Sequence, residues 1–162
     1  MNDKPQTDAE QRETLDKLID STRFAMFTTR DEGGKLVSRP MTVQKREDAR
    51  FLFISQRDTD VAQQADGQAV NLAFVTGGNY VSVSGTGSVL DDVAQKKELW
   101  NAMNDAFADG GPEDPNNVIV AVDADGAEYW DTPNGVVTLL GAVKAAVAGG
   151  RPAGGDHGTV NL

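Results

Sequence analysis

The residues best suited to bind a charged ligand lie at positions 38–42, where the sequence reads Ser-Arg-Pro-Met-Thr. Arg39 falls between two runs that have the composition of β-strands, and an arginine held there can contact a phosphate through several N–H donors. Pro40 removes one backbone donor, which predicts an edge, a bulge or another irregularity and leaves backbone groups free for a ligand. The same pattern fits an edge strand with a solvated arginine, so the local sequence leaves both interpretations open.

The charge around this segment differs from that of the rest of the chain. Residues 23–57 carry eight basic and four acidic side chains, whereas the 162-residue chain has a formal net charge of -10. A local positive region on an acidic protein favours a small anion over a polyanion, because a polyanion would also meet the negative remainder. We therefore expect no nucleic-acid partner and no membrane partner. Basic residues that cluster by chance on a solvated surface would give the same local excess of positive charge, so this alternative stays open.

No side chain stands out as a catalytic acid, base or nucleophile. The chain has no cysteine and a single histidine, His157, which argues against histidine-centred triads and against metal sites built from these residues. Residues 84–87 (Ser-Gly-Thr-Gly) do not complete a dinucleotide fingerprint, and the sequence contains no P-loop, HExxH or GxSxG motif. The catalytic residues stay unassigned, and any redox chemistry would have to reside in a bound cofactor.

The length fits one domain with a single core. We predict a flexible N-terminus over residues 1–7, a folded domain over residues 8–148 and a disordered glycine-rich tail over residues 149–162. The first residues lack the pattern of a secretory signal, and the longest apolar stretch, residues 136–148, is shorter than the roughly 20 residues of a membrane span. We expect a cytoplasmic protein.

The hydrophobic pattern predicts many short strands with a few helices between them. Thr7 and Glu10 have the spacing of a capping box at the start of a first helix. Short connections favour a mainly antiparallel sheet closed into a small barrel, with helices covering its ends. Strands are expected at 23–30, 35–45, 51–55, 69–76, 80–90, 117–122 and 126–131, with a turn at 46–50, and helices at 7–20, 58–66, 91–107 and 138–148.

Several sequence blocks, each weak alone, form a specific set through their order and spacing. On these blocks the chain resembles the general stress protein 26 branch of the pyridoxamine 5'-phosphate oxidase-like superfamily, over residues 8–148. The blocks are residues 24–29, 38–41 (Ser-Arg-Pro-Met), 80–86 (Tyr-Val-Ser-Val-Ser-Gly-Thr), 98–100 (Glu-Leu-Trp) and 127–131 (Ala-Glu-Tyr-Trp-Asp).

The resemblance implies an antiparallel six-stranded Greek-key split β-barrel that binds FMN. Members of this kind are normally homodimers in which both subunits build each flavin site. The implied cofactor positions are Arg39 at the flavin phosphate with Thr59 nearby, Met41 and Thr42 along the isoalloxazine ring, Ile54 and Ser55 from the next strand, Tyr80 and Ser82 from the second subunit's strand, and Trp130 near the flavin edge.

The resemblance also implies FMN-dependent redox chemistry on a small electron acceptor, with a non-catalytic flavin carrier or sensor as an alternative. F420 or FAD could replace FMN, and a cofactor-free interaction barrel is a further alternative. The family's Ser-x-Lys after the third strand is replaced by Arg-Asp-Thr-Asp at residues 57–60. The phosphate would therefore lose one cation, or would shift toward Arg39 and Arg57. Pyridoxamine phosphate oxidase activity is not expected, because the only histidine, His157, lies in the tail.

Overall fold

The computed structural model describes residues 6–131 and 156–162. The helix predicted at residues 138–148 lies outside them. The first helix, α1 (Asp8–Asp20), begins after Thr7, whose hydroxyl accepts the N–H of Glu10 while the Glu10 carboxylate accepts the N–H of Thr7. This reciprocal pair is the predicted capping box, and it satisfies two backbone donors at the helix start.

All the strands of the described residues join one sheet, and every pair of neighbouring strands is antiparallel. The strand order is β2-β1-β5-β6-β7-β4-β3, and β8 pairs with β7. The mainly β antiparallel class is confirmed, although the sheet has eight strands and not the predicted six. After α1 the elements are β1 (Phe24–Arg30), β2 (Leu36–Thr42), β3 (Lys45–Glu47), β4 (Arg50–Gln56), α2 (Asp60–Ala65), β5 (Ala69–Thr76), β6 (Asn79–Leu90), α3 (Val93–Leu99), α4 (Ala102–Phe107), β7 (Asn117–Asp131) and β8 (Asp156–Asn161).

The core lies on the inner face of the curved sheet, where alternate residues of the strands are buried. Helices α1 and α2 add their apolar faces to it, with Leu15 and Val61 among the buried residues. A smaller cluster on the outer face packs Leu99 of α3 against Leu52 and Ile119. Because this part of β4 and β7 is covered on both sides, its sequence is almost continuously apolar.

The edge strand β2 accommodates Pro40. Its register with β1 is unbroken, from Phe24 opposite Thr42 to Arg30 opposite Leu36. Of the predicted edge, bulge or other irregularity at Pro40, the structure therefore shows the edge position. An edge strand pairs on one side only, which is why a missing N–H is tolerated there.

Two strands replace the single strand predicted at residues 35–45. The N–H of Val43 bonds to the Arg23 carbonyl and the N–H of Gln44 bonds to the Leu52 carbonyl. The chain therefore leaves β1 and continues as β3 beside β4, and the turn predicted at residues 46–50 is shorter than expected.

Two further predictions on β7 and its preceding helix are wrong. The helix predicted at residues 91–107 is broken into α3 and α4, because Trp100 is extended and Asn101 caps a new helix. The strands predicted at residues 117–122 and 126–131 are one strand, since β6 is long enough to pair with both halves.

The tail also departs from the prediction of disorder in its last residues. Asp156–Asn161 form β8, which pairs with the second half of β7 and buries Gly158 and Val160. That half of β7 extends beyond β4 and offers a free edge, and a sequence rich in glycine gives no local indication of this pairing.

Candidate functional site

A cavity of about 560 Å³ opens between the ends of β2 and β4 and the short helix α4. Its volume falls within the roughly 300–1,000 Å³ typical of small-molecule sites. The lining mixes apolar side chains with hydroxyl and amide groups, which suits a ligand with a planar apolar part and polar substituents. The lining residues are Phe24, Pro40, Met41, Thr42, Gln44, Ile54, Ser55, Gln56, Thr59, Met103, Asn104, Phe107 and Ala108.

Five of the positions predicted from the sequence meet in this cavity. Met41 and Thr42 come from the end of β2, Ile54 and Ser55 from the end of β4, and Thr59 from the cap of α2. They are brought together because the chain passes from β2 directly into β3, where the N–H of Gln44 bonds to the Leu52 carbonyl and Lys45 pairs with Leu52 of β4. Their roles toward a ligand stay predictions.

The hydroxyl groups at the end of β4 form a small hydrogen-bonded set. The Ser55 and Thr59 hydroxyl oxygens lie 3.0 Å apart, and the Thr59 hydroxyl donates to the Gln56 carbonyl at 2.6 Å. Thr59 also accepts the N–H of Ala62 at the start of α2. Strand β4 and helix α2 thus hold both hydroxyls in fixed positions on the cavity wall.

Arg39 lies on the same face of β2 as Met41, but its guanidinium points away from the cavity lining. Nη1 donates to the Thr29 hydroxyl at 2.5 Å and Nη2 approaches the Gln64 side-chain oxygen at 3.4 Å. Both acceptors are neutral. Within the described residues no carboxylate comes within ion-pair distance of Arg39, so its charge is balanced by no acidic side chain.

The predicted positions on β6 and β7 lie elsewhere on the same chain. Tyr80 pairs with Trp130 across the two strands, and their side chains are 49% and 41% exposed. Ser82 accepts a hydrogen bond from the Asn71 side chain at 2.8 Å. None of the three lines the cavity of its own chain, and their predicted place in a two-subunit site is untested.

Trp130 has a neighbour that the sequence did not indicate. The ring of His157 on β8 stacks on it, with 5.2 Å between ring centroids. The histidine was assigned to a disordered tail, so its position on the C-terminal strand is a correction.

Sequence reasoning also missed the other wall of the cavity. Phe24 from β1 and Met103 and Phe107 from α4 line it, and these side chains are 63%, 58% and 80% exposed. The spacing of Met103 and Phe107 was interpreted as part of one long helical stripe forming core or a partner surface. Their exposure was the property that the sequence could not supply.

A buried lysine lies beside the site, in the structure that supports α4. The Lys96 side chain is fully buried, and its Nζ donates to the Asp91 carboxylate at 2.7 Å and to the carbonyls of Asn117 and Asp114 at 2.7 and 3.1 Å. The hydrogen bond from Lys96 lowers the pKa of Asp91. Asp91 also pairs with Arg57 at 3.3 Å, so Arg57 is engaged away from the cavity.

The described residues give no sign of a metal centre or a membrane span. In residues 6–131 and 156–162, no cluster of three or more His, Cys, Asp or Glu side chains could hold a metal ion. Among the same residues, no helix has both the length and the apolar character needed to cross a bilayer.

An antiparallel half-barrel with helices at its ends and a mixed cavity beside an edge strand places the protein in the split-barrel class. The model of the family described as pyridoxamine 5'-phosphate oxidase like matches residues 10–153. The chain therefore belongs to the pyridoxamine 5'-phosphate oxidase-like family.

Individual relatives agree with this assignment and with the general stress protein 26 branch. The general stress FMN/FAD binding protein of Xanthomonas citri is 31% identical, with a TM-score of 0.62 over 76% of this chain and 89% of that one. A candidate general stress protein 26 from Jannaschia sp. CCS1 shares the fold, with a TM-score of 0.75 over 95% and 99% of the two chains at 24% identity. Protein bli-3 of Neurospora crassa is 29% identical over 153 residues, covering 86% of this chain and 73% of that protein.

Proposed function

We propose that this protein binds FMN in the cavity between β2, β4 and α4. The observation that supports the proposal most directly is the meeting of Met41, Thr42, Ile54, Ser55 and Thr59 in one cavity. These residues come from three elements, and the family resemblance implies all five as flavin positions. The similarity to the Xanthomonas citri FMN/FAD binding protein supports the same cofactor class.

The donor set fits the two chemical parts of FMN. The apolar side chains of Met41 and Ile54 suit the isoalloxazine ring, while the Ser55 hydroxyl can donate to a phosphate. The Thr59 hydroxyl already donates to the Gln56 carbonyl, so it would donate to a phosphate only by giving up that bond. Arg39 supplies the positive charge, and an incoming phosphate would replace its long contact with Gln64. The family lysine is absent and Arg57 is paired with Asp91, so Arg39 takes the larger share of the phosphate interaction.

The Arg39→Ala variant tests this assignment. A charge-assisted contact to a phosphate contributes roughly 1.5–3 kcal/mol, so FMN affinity should fall by more than about tenfold. Fluorescence titration of FMN with purified protein measures the dissociation constant. Arg30→Ala is the matched control, because Arg30 belongs to the same basic stretch, is exposed and lies outside the cavity lining; its affinity should match the wild type. Unchanged affinity in Arg39→Ala would remove Arg39 from the phosphate site.

The proposed activity is flavin-dependent reduction of a small acceptor. Bound FMN supplies hydride or single-electron transfer, and the protein contributes anchoring of the phosphate and a cavity that opens to solvent. NAD(P)H-dependent bleaching of the flavin absorbance, followed by recovery with an added acceptor, would support the enzyme. A yellow protein without turnover would identify a carrier or sensor instead. Tighter binding of F420 or FAD than of FMN would show that the cofactor is not FMN. A wild-type protein that cannot be reconstituted with any flavin would contradict the proposal itself.

We further propose that the protein is a homodimer and that a second copy covers the exposed outer face of the sheet. One row across four strands joins Val75, Tyr80, Trp130 and His157 in register, and the first three side chains are 59%, 49% and 41% exposed. Phe24 extends this apolar surface to the cavity mouth. A second subunit on this face would bring Tyr80 and Ser82 to the partner's flavin site, as the resemblance implies.

Light scattering coupled to gel filtration should give twice the chain mass of 17.2 kDa. The charge of a Tyr80→Glu substitution at the centre of the row should shift the protein toward the monomer. A wild-type protein of monomeric mass would contradict the dimer.

A further inference from the structure

The apolar face of α4 is directed at the cavity. Met103 and Phe107 are four residues apart, which places them on one face of the helix, and both line the cavity. Phe107 is the most exposed of the large hydrophobic side chains described, at 80%. Phe24 of β1, at 63%, lines the same cavity. Three large apolar side chains from two separate elements therefore line one small-molecule cavity and are largely exposed.

Hydrogen bonds fix the N-terminal end of α4 in this position. Asn101 and Asn104 form a reciprocal capping box, and Asn104 is buried beside the cavity. The Asn101 side-chain amide also donates to the Gln44 side-chain oxygen at 2.8 Å, which ties the helix to the segment between β2 and β3. The indole N–H of Trp100 donates to Asp105 at 2.6 Å and closes the first turn.

A second set of bonds fixes the chain that follows α4. The side-chain amide of Asn117, which is fully buried, donates to the carbonyls of Asp109 and Gly111 at 2.7 and 2.8 Å. Lys96 binds the Asn117 and Asp114 carbonyls from the other side. Because hydrogen bonds hold the chain at both ends of α4, the helix is not free to move to a position in which the protein itself would bury Phe107. Such a preformed apolar wall lowers the ordering cost of binding a ligand that covers it.

We propose that Phe107 and Met103 of α4, with Phe24, form the ring-binding wall of the cavity and determine its affinity for a planar tricyclic ring. This inference rests on the proposed flavin site and assigns it residues beyond those implied by the family resemblance. A large aromatic ring system gains from contact with aromatic and thioether side chains. The phosphate is assigned to Arg39 of β2 and to the hydroxyls near the end of β4, so the α4 side chains and Phe24 contribute to binding of the ring and not of the phosphate.

Riboflavin and FMN differ by the phosphate alone, so titrating both separates the two contributions. For Phe107→Ala, the affinities for riboflavin and for FMN should fall by the same factor, about tenfold, because stacking on an aromatic side chain is lost. The ratio of the two dissociation constants should stay at its wild-type value. Phe107→Trp should retain the affinity for both ligands. Arg39→Ala should give a different result: riboflavin binding is retained and only FMN binding is reduced.

Leu36→Ala is the matched control, because Leu36 is 66% exposed on β2 and lies outside the lining of this cavity. It should leave both affinities unchanged. Since Phe107 is largely exposed, the variant should keep the wild-type thermal midpoint, and circular dichroism checks this. Riboflavin and FMN affinities within twofold of wild type in Phe107→Ala would overturn the inference, as would a fall for FMN alone. Failure of the wild-type protein to bind either ligand would overturn the proposed function, and with it this inference, before any variant is compared.

Discussion

Lys96 and Arg39 are two basic residues outside the cavity lining whose surroundings differ completely. Lys96 is fully buried and its ammonium group contacts one carboxylate and two backbone carbonyls. Arg39 is partly buried and contacts only a hydroxyl and an amide oxygen. The charge of Lys96 is therefore neutralised within the fold, whereas no carboxylate of the described residues pairs with Arg39, which is why we propose Arg39 for the phosphate. Burial alone does not identify a binding residue; the nature of its partners does.

The same contrast applies to the basic stretch at residues 23–57. Lys45 pairs with Glu47 and with Glu98, Arg46 with Asp16 and Asp20, Arg50 with Asp123 and Arg57 with Asp91. Most of these acidic partners come from distant parts of the chain. A positive sum along the sequence therefore overstates the positive charge that the folded surface presents. Arg39 is one of the four basic residues of this stretch that pair with no carboxylate of residues 6–131 and 156–162.

Replacing Lys96 by methionine should give the largest effect on stability. Methionine fills most of the space of the lysine stem, but it removes the ammonium group from the buried Asn117 carbonyl, from the part-buried Asp114 carbonyl and from the Asp91 carboxylate. Asp91 then keeps only Arg57 as a cationic partner. We expect the free energy of unfolding to fall by about 3 kcal/mol. Urea denaturation followed by circular dichroism measures this change.

Lys97→Met is the control for this experiment. Lys97 is the next residue, is 53% exposed and pairs with Glu113 at the surface, so its loss should cost less than about 1 kcal/mol. Arg39→Ala should lower stability by about 1 kcal/mol, since only two neutral hydrogen-bond acceptors lose their donor. If Lys96→Met proved no more destabilising than Arg39→Ala, the distinction between a structural and a ligand-binding cation would fail.

Acid should remove part of the stability of the Lys96 cluster. Lys96 lowers the pKa of Asp91 in the folded protein, below a value of about 3.9 for an unfolded aspartate. The carboxylate therefore stabilises the fold fully above that unfolded pKa, and the stabilisation is lost as the pH falls through the folded pKa. Asp91→Asn cannot titrate, so its deficit relative to wild type should be largest near pH 7 and should shrink toward pH 3.

Urea unfolding of wild type and Asp91→Asn at pH 7, 5 and 3 measures this difference; other carboxylates titrate equally in both proteins and cancel. A deficit that stayed constant across this range would show that the Asp91 charge does not contribute to stability.

The sequence predicted one wall of the cavity and missed the other. Local pattern predicted the strands that carry Met41 and Ile54 and a helix that begins at Asp58 or Thr59, and the family resemblance assigned these positions to the site. The α4 wall depends on a break at Trp100, where the helical stripe continues in the sequence although the backbone does not. Local hydrophobic spacing cannot distinguish one long helix from two short helices separated by an extended residue.

The position of His157 could not be predicted for a different reason. Its strand, β8, forms on the free edge of β7 and is preceded by a glycine-rich sequence without strand propensity. Gly158 is needed because a side chain there would meet the Tyr129 ring, with only 2.5 Å between its Cβ and the nearest ring carbon. Only the close approach of two distant segments explains this glycine.

The sequence by itself determined the antiparallel β class, the capping box of α1, most strand positions and five residues that meet in the cavity. These follow from local periodicity, capping chemistry and family motifs, which act over a few residues. The tertiary structure alone decided which basic groups are neutralised, that α4 completes the cavity and that β8 closes the edge of β7. These properties depend on contacts between residues far apart in the chain, where the partner of a charge or a strand edge is set by packing and not by its neighbours in sequence.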